Sequence, residues 1–377
     1  MTLWIDDAAT LRAFCREAGD DAIAVDTESD HFHAYNARVC LIQVATPDTT
    51  AIIDPLAIDA GDMKPLLRQF EDRSVEKILH SARNDIRELD RDYGTDFCRV
   101  FDTQVAARFL DYQRNSLDWL LENLCDVEPG PGFGRFDWTR RPLPQKALEY
   151  AATDVLHLFE MRRRFREELE NLGWLEAVEQ QCAYICRSTE YQSNPFDPEG
   201  WRSIRGVSKL DGRGRAVARQ LYLWRHELCD KRNQAPVTCF PNSALRRLAK
   251  KRPSSLKALE EMSHIPGPLV EKEGTALLEQ IRRGEKADMP PRRAPERPTE
   301  NVRPSADERA RYDRLRTWRN DLSRQLSIPG EFIAINATLR QIAAEPPRSV
   351  DELGQFDAIL PWHCDVFGEE LLEAMGQ

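Results

Sequence analysis

Asp21-Ala22-Ile23-Ala24-Val25-Asp26-Thr27-Glu28 sets an apolar run rich in β-formers directly before two carboxylates spaced by two. Side chains alternate faces along a strand, so Asp26 and Glu28 leave it on the same side. A second stretch, Gln145-Lys146-Ala147-Leu148-Glu149-Tyr150-Ala151-Ala152-Thr153-Asp154-Val155-Leu156, has good helix formers at helical spacing, which stacks Tyr150 one turn from Asp154. Between the two lies Asp85, at the start of a helical run over residues 85–93. Strand and helix thus aim acidic groups from distant parts of the chain toward a common point.

Working outward, Arg38-Val39-Cys40-Leu41-Ile42-Gln43-Val44-Ala45 and Thr50-Ala51-Ile52-Ile53-Asp54 are β-rich runs parted by the turn-forming Pro47-Asp48. With the first stretch they predict three neighbouring antiparallel strands. Residues 63–70 read as a helix and 75–80 as a short buried strand, while Phe101-Asp102-Thr103 opens a helical run through Tyr112. The first 170 residues therefore predict an α/β fold, a mixed sheet flanked by helices. Past Leu156 strand signals vanish and the chain reads as mostly α.

At 377 residues the chain exceeds what one hydrophobic core usually spans. We divide it into 1–170, a helical connector 171–210, a helical module 211–290, a Pro-rich linker 291–304 and a second helical module 305–377. The stretch from Met289 to Pro298 holds four prolines in ten residues, which no helix or strand interior tolerates. The two modules look like copies. Leu221-Tyr222-Leu223-Trp224-Arg225-His226-Glu227 aligns with Tyr312-Asp313-Arg314-Leu315-Arg316-Thr317-Trp318-Arg319-Asn320, and Pro253-Ser254-Ser255-Leu256-Lys257-Ala258-Leu259 with Pro347-Arg348-Ser349-Val350-Asp351-Glu352-Leu353.

The net charge of −10 argues at first against a polyanionic ligand, but the charge is unevenly placed. Residues 1–170 carry −12, whereas residues 205–293 carry +10, from 20 Lys+Arg against 10 Asp+Glu. An acidic front that holds cations, joined to a module that grips a polyanion, fits both halves. The nine cysteines are scattered without a C-x-x-C, and Cys182 and Cys186 one turn apart read as buried apolar side chains rather than a zinc site. No basic-then-apolar leader and no run of eighteen apolar residues is present, which predicts a cytoplasmic protein without membrane association.

In this order and with their flanks, the motifs resemble the ribonuclease D family, a DEDD-type 3′–5′ exonuclease domain followed by two HRDC modules. Val25-Asp26-Thr27-Glu28-Ser29 matches the first exonuclease signature, His80-x4-Asp85-x3-Leu89 the second and Tyr150-Ala151-Ala152-Thr153-Asp154 the third. Phe101-Asp102-Thr103-Gln104 and Ser116-Leu117-Asp118-Trp119-Leu120 look like family connectors. The resemblance covers nearly the whole chain and implies a ribonuclease H-like sheet followed by two all-α HRDC domains. It departs at Glu128-Pro129-Gly130-Pro131-Gly132-Phe133-Gly134-Arg135-Phe136-Asp137-Trp138, where the family usually carries a polar stretch with lysine and serine. That loop reads either as a gate for the RNA end or as a variable surface connection.

The chemistry of phosphodiester cleavage explains the residue types. Charge develops on the attacking water, the non-bridging oxygens and the leaving 3′-oxygen, and two divalent ions, Mg2+ or Mn2+, stabilise all three when hard oxygen ligands hold them. The resemblance implies Asp26 bridging both ions, Glu28 and Asp154 on the nucleophile side, and Asp85 supporting the second ion. Tyr150 is expected to orient the attacking water, since a phenol is a poor base at neutral pH.

Phe32 in His31-Phe32-His33-Ala34-Tyr35, and Phe133, Phe136 and Trp138, are candidate platforms for the terminal nucleotides. Arg246, Arg247, Lys250, Lys251 and Arg252 in the first module are candidate RNA contacts, whereas the acidic second module, with Trp318, Trp362 and Phe367, is expected to pack against the chain or a partner. The reading is a monomeric 3′–5′ exoribonuclease, and the resemblance implies that it trims 3′ extensions of transfer-RNA precursors and other structured RNAs. The alternatives are a 3′–5′ DNA exonuclease and a non-catalytic RNA-binding adaptor.

Overall fold

The computed structural model describes residues 2–18, 21–128, 130, 132–192, 195–290 and 304–376. The proline-rich linker expected at 291–304 lies outside the described residues apart from Pro304, as do Pro129 and Pro131. The chain divides into two compact units, one of Met1–Glu28, Val39–Tyr191 and Arg297–Gln377, the other of Ser29–Arg38 and Gln192–Glu296.

The first unit is built on a six-stranded sheet of β1 (Thr2–Ile5), β2 (Ala22–Ser29), β3 (Val39–Ala45), β4 (Thr50–Ile53), β5 (Glu76–Leu79) and β6 (Val100–Asp102), in the order β1-β4-β3-β2-β5-β6. Only the β3–β4 pair is antiparallel among the registers described, while β1–β4, β2–β5 and β5–β6 run parallel. The sheet is mixed, as the sequence predicts. Two strands escaped the pattern. β6 has three residues, too short for alternation to show, and runs directly into the helical run expected from Phe101, while β1 is a four-residue strand on the sheet edge. The chain turns helical only at Thr103, because Asp102 caps that helix by accepting from the Gln104 and Val105 amides.

The same carboxylate reaches back to the Ser81 and Ala82 amides, both at 2.9 Å. Four backbone donors on one buried acid tie the end of β5 to the end of β6 and fix the start of the helix Arg83–Tyr93. A second clasp seats the helix Gln145–Leu156 on β3 and β4. Arg141, four residues ahead of it, makes a bidentate pair with buried Asp54 and donates to the Cys40 and Trp138 carbonyls. A planar guanidinium fork meets such a set in one orientation. Both devices act near the carboxyl ends of parallel strands, where open α/β sheets place their sites.

The expected repeat is present in both modules, element for element. The helices Gly212–Arg232, Pro236–Cys239, Asn242–Lys251, Leu256–Glu260 and Gly267–Lys286 are matched by Ala306–Leu326, Gly330–Ile333, Asn336–Ala344, Val350–Leu353 and Pro361–Ala374. Even the internal fastening repeats. Arg225 donates to the Phe240 carbonyl and Asn242 side chain, and Arg319 to the Ala334 carbonyl and Asn336 side chain. Ser255 and Ser349 cap equivalent short helices.

The second module belongs to the first unit and packs on it. Phe109 stacks on Phe332 at 4.9 Å and meets Trp362 edge-on, Arg108 pairs with Glu331, and the Trp362 amide donates to Gln180. Cys182, on the helix Leu175–Ser188, is fully buried, and none of the nine cysteines is in a disulfide. Among the described residues no helix is long and apolar enough to cross a membrane.

Candidate active site

Asp26 and Glu28 stand on the last turn of alternation in β2, and Asp154 meets them from the helix Gln145–Leu156. One ligand oxygen from each of the three lies within 4.8 Å of the others. Asp85 sits in the first turn of Arg83–Tyr93, 8% exposed, outside that three-residue cluster. It is held instead by Thr27, whose hydroxyl donates to it at 2.6 Å. Alternation alone sends Thr27 away from its neighbours, so its part in the site was not visible in the sequence.

Burial and like charge dominate the electrostatics. Desolvation, then Asp154, pushes the Asp26 carboxyl well above its ordinary range, and desolvation with Asp26 does the same to Asp85. Glu28 rises to about 10, through burial and then the charges of Asp26, Asp154 and Asp85. Asp154 rises to about 8, by burial and by Asp118, while its hydrogen bond from Tyr150 works the other way. Among the described residues, the charges that shift these four groups are negative. Buried carboxylates without a cation are costly, and closely set hard oxygen donors are what a divalent cation of the magnesium type requires. The donor set fits that group of ions.

Tyr150 has its phenol driven upward by burial and then by Asp154, so it stays protonated and acts as a donor. Asp118, read only as part of a connector, bears on both Asp154 and Tyr150 from the first turn of Leu117–Leu124. Of the aromatic candidates, Trp138 is 1% exposed and belongs to a core with Cys40, Leu41 and Ile52, which removes it as a platform. Phe133 stays half-buried, its ring 5.2 Å from that of Tyr150. Phe32 is exposed and lies in the second unit, against His31.

In the second unit, Arg246, Arg247, Lys250 and Lys251 line a groove of about 930 Å³ together with Arg205 and Lys209. The last two come from the connector and were missed, because their partners are distant in sequence. Arg252 does not line the groove. It ends its helix in the left-handed region and pairs with Asp211 at 2.8 Å. Gly206, at φ +89°, lies so close to Arg246 that a Cβ would come within 2.8 Å of its guanidinium.

Residues 2–170 match the 3′–5′ exonuclease family, and residues 214–281 and 308–375 each match the HRDC domain. Ribonuclease D of Nitrobacter hamburgensis is 27% identical over 372 residues, spanning 98% of this chain and 94% of that protein. Protein RRP6-like 2 of Arabidopsis thaliana is 28% identical over 275 residues, 70% of this chain but 31% of the plant protein, so the chain spans about a third of that relative. The crystal structure of Escherichia coli RNase D, an exoribonuclease involved in structured RNA processing, superposes with a TM-score of 0.66 at 25% identity, covering 100% of this chain and 99% of that one.

Proposed function

We propose that this chain, which belongs to the ribonuclease D family, is a metal-dependent 3′–5′ exoribonuclease that releases 5′-mononucleotides and trims 3′ extensions of structured RNAs, transfer-RNA precursors among them. The observation that carries the reading is the meeting of Asp26, Glu28 and Asp154 within 4.8 Å, with Tyr150 bonded to Asp154. Full-length similarity to ribonuclease D supports it.

In this reading Asp26, Glu28 and Asp154 hold divalent ions, magnesium or manganese, and Asp85 assists from the neighbouring helix. When bound, such ions supply Lewis-acid stabilisation of the charge that develops on the phosphate and on the attacking and leaving oxygens. The protein's own work is positional. Tyr150, protonated throughout the working range, fixes the attacking water by hydrogen bonding rather than by taking its proton. Asp102 and Arg141 keep the helices of Asp85 and Asp154 in register with β2, the kind of pre-set geometry on which displacement rates depend. The cationic groove holds RNA phosphates.

A 3′-extended transfer RNA incubated with magnesium, with and without chelator, tests the reading. It expects stepwise release of 5′-mononucleotides from the 3′ end only when metal is present. Faster digestion of a matched DNA strand would favour a DNA exonuclease, and absence of any release with metal would leave an RNA-binding adaptor.

A further inference from the structure

We propose that Phe133 is the stacking platform for the nucleobase of the 3′-terminal nucleotide, an assignment that rests on the exoribonuclease reading above. Its ring stands 5.2 Å from the ring of Tyr150, tilted by 44°, and so flanks the group that orients the attacking water. Phe136 props it edge-on at 5.3 Å, and Phe136 in turn rests edge-on against buried Trp138 at 4.9 Å. Trp138 anchors this aromatic ladder in the core, Phe136 and Phe133 are both half-buried, and of those two Phe133 is the one in ring contact with Tyr150.

The ring of Phe133 is only partly covered by the chain around it. One side of the ring packs on the cluster of Trp138, Cys40, Leu41 and Ile52, and the remaining surface is open beside Tyr150. The scissile phosphate of a terminal nucleotide must come to Asp26, Glu28 and Asp154, and its base then lies within one nucleotide's reach of Tyr150. An exonuclease that removes residues in turn must grip each base without reading its edge. An aromatic face does so because every base has a π-face, with purines gripped better than pyrimidines through their larger area.

The test uses oligoribonucleotides identical except at the 3′-terminal residue, which is adenosine, uridine or an abasic ribose. Initial rates with magnesium are compared for the wild type, Phe133→Ala and Phe133→Tyr. The wild type is expected to show kcat/KM about tenfold higher on the adenosine end than on the abasic end, the scale of one base–aromatic stack. Phe133→Ala should erase that ratio, with the loss expressed in KM, and Phe133→Tyr should restore it. If Phe133→Ala slows all three substrates equally through kcat, the ring merely supports Tyr150 and the proposal is overturned. Digestion of none of them by the wild type would overturn the exoribonuclease reading as well.

Discussion

The hydroxyl of Thr27 donates to the carboxylate of Asp85 across 2.6 Å, joining the strand that carries Asp26 and Glu28 to the helix that carries Asp85. This bond makes Thr27 part of the ligand frame although it offers no ligand atom suited to the task. Replacing it with isosteric valine removes the bond while keeping β-branching and volume. Metal affinity should fall by roughly 10–100-fold, the usual cost of losing an outer partner of a ligand. The magnesium dependence of the cleavage rate measures it, and an unchanged half-saturation point would remove Thr27 from the frame.

Tyr150→Phe should lower kcat by about 10²–10⁴, roughly 3–5 kcal/mol of barrier, with RNA affinity little changed. The phenol is pushed above its ordinary range, so the wild-type rate should show no ascending limb from tyrosine ionisation between neutral and mildly alkaline pH. A rate that climbs with such a limb, and loses it in the phenylalanine variant, would make Tyr150 a base after all.

Glu28 separates stability from function. In metal-free protein its carboxyl rises from 4.5 to about 10, so the folded state binds more protons than the unfolded state between those values. The contribution to stability is then fully present below about 4.5 and is lost as pH rises through about 10. Glu28→Gln removes that loss. In chelator at pH 8 the variant should melt higher than the wild type while cleaving almost nothing, and added magnesium should stabilise only the wild type appreciably. Equal melting curves with and without chelator would count against metal binding at this cluster.

How far the sequence carried the argument depends on spacing. Asp26, Glu28, Tyr150 and Asp154 were legible because period two and period four are local rules that survive folding. Arg225 and Arg319 were legible as a repeat for the same reason, even though the carbonyls they fasten were not. Thr27, Asp102, Arg205 and Lys209 act on residues far along the chain, and no periodicity records such pairs. Arg252 stands off the groove, because a basic run does not say which member turns back to an acid on its own module. β6, three residues long, was lost to brevity.

His363 gives the second module a pH dependence. It is buried, with Nδ1 accepting from the Leu360 amide and Nε2 donating to the Phe332 carbonyl, an arrangement only the neutral ring satisfies. Desolvation lowers it from 6.5 to about 4. Because the folded value lies below the unfolded one, the stabilisation is complete above 6.5 and is lost as pH falls through 4, up to about 3 kcal/mol in total. Tryptophan fluorescence melts at pH 7 and pH 4.5 should therefore differ more for the wild type than for His363→Gln, with Trp362, 4.1 Å away, as the reporter. Parallel shifts in both proteins would place the acid sensitivity elsewhere.

The groove of the first module makes a prediction in which salt, rather than affinity, is the deciding variable. Each phosphate neutralised by a cation releases counterions, which gives a slope of log K against log salt of about 0.7 per contact on a single strand and 0.9 on a duplex. Arg247→Glu and Lys250→Glu, both lining the groove, should each flatten the slope for RNA binding by about one contact or more, measured in chelator so that cleavage plays no part. Arg252→Gln is the control, since its guanidinium is engaged by Asp211. It should leave the slope alone and cost at most about 1 kcal/mol of stability, the worth of a partly exposed pair. A flattened slope in Arg252→Gln with no change in the groove variants would move the phosphate contacts out of the groove to Arg252 at the helix C-terminus.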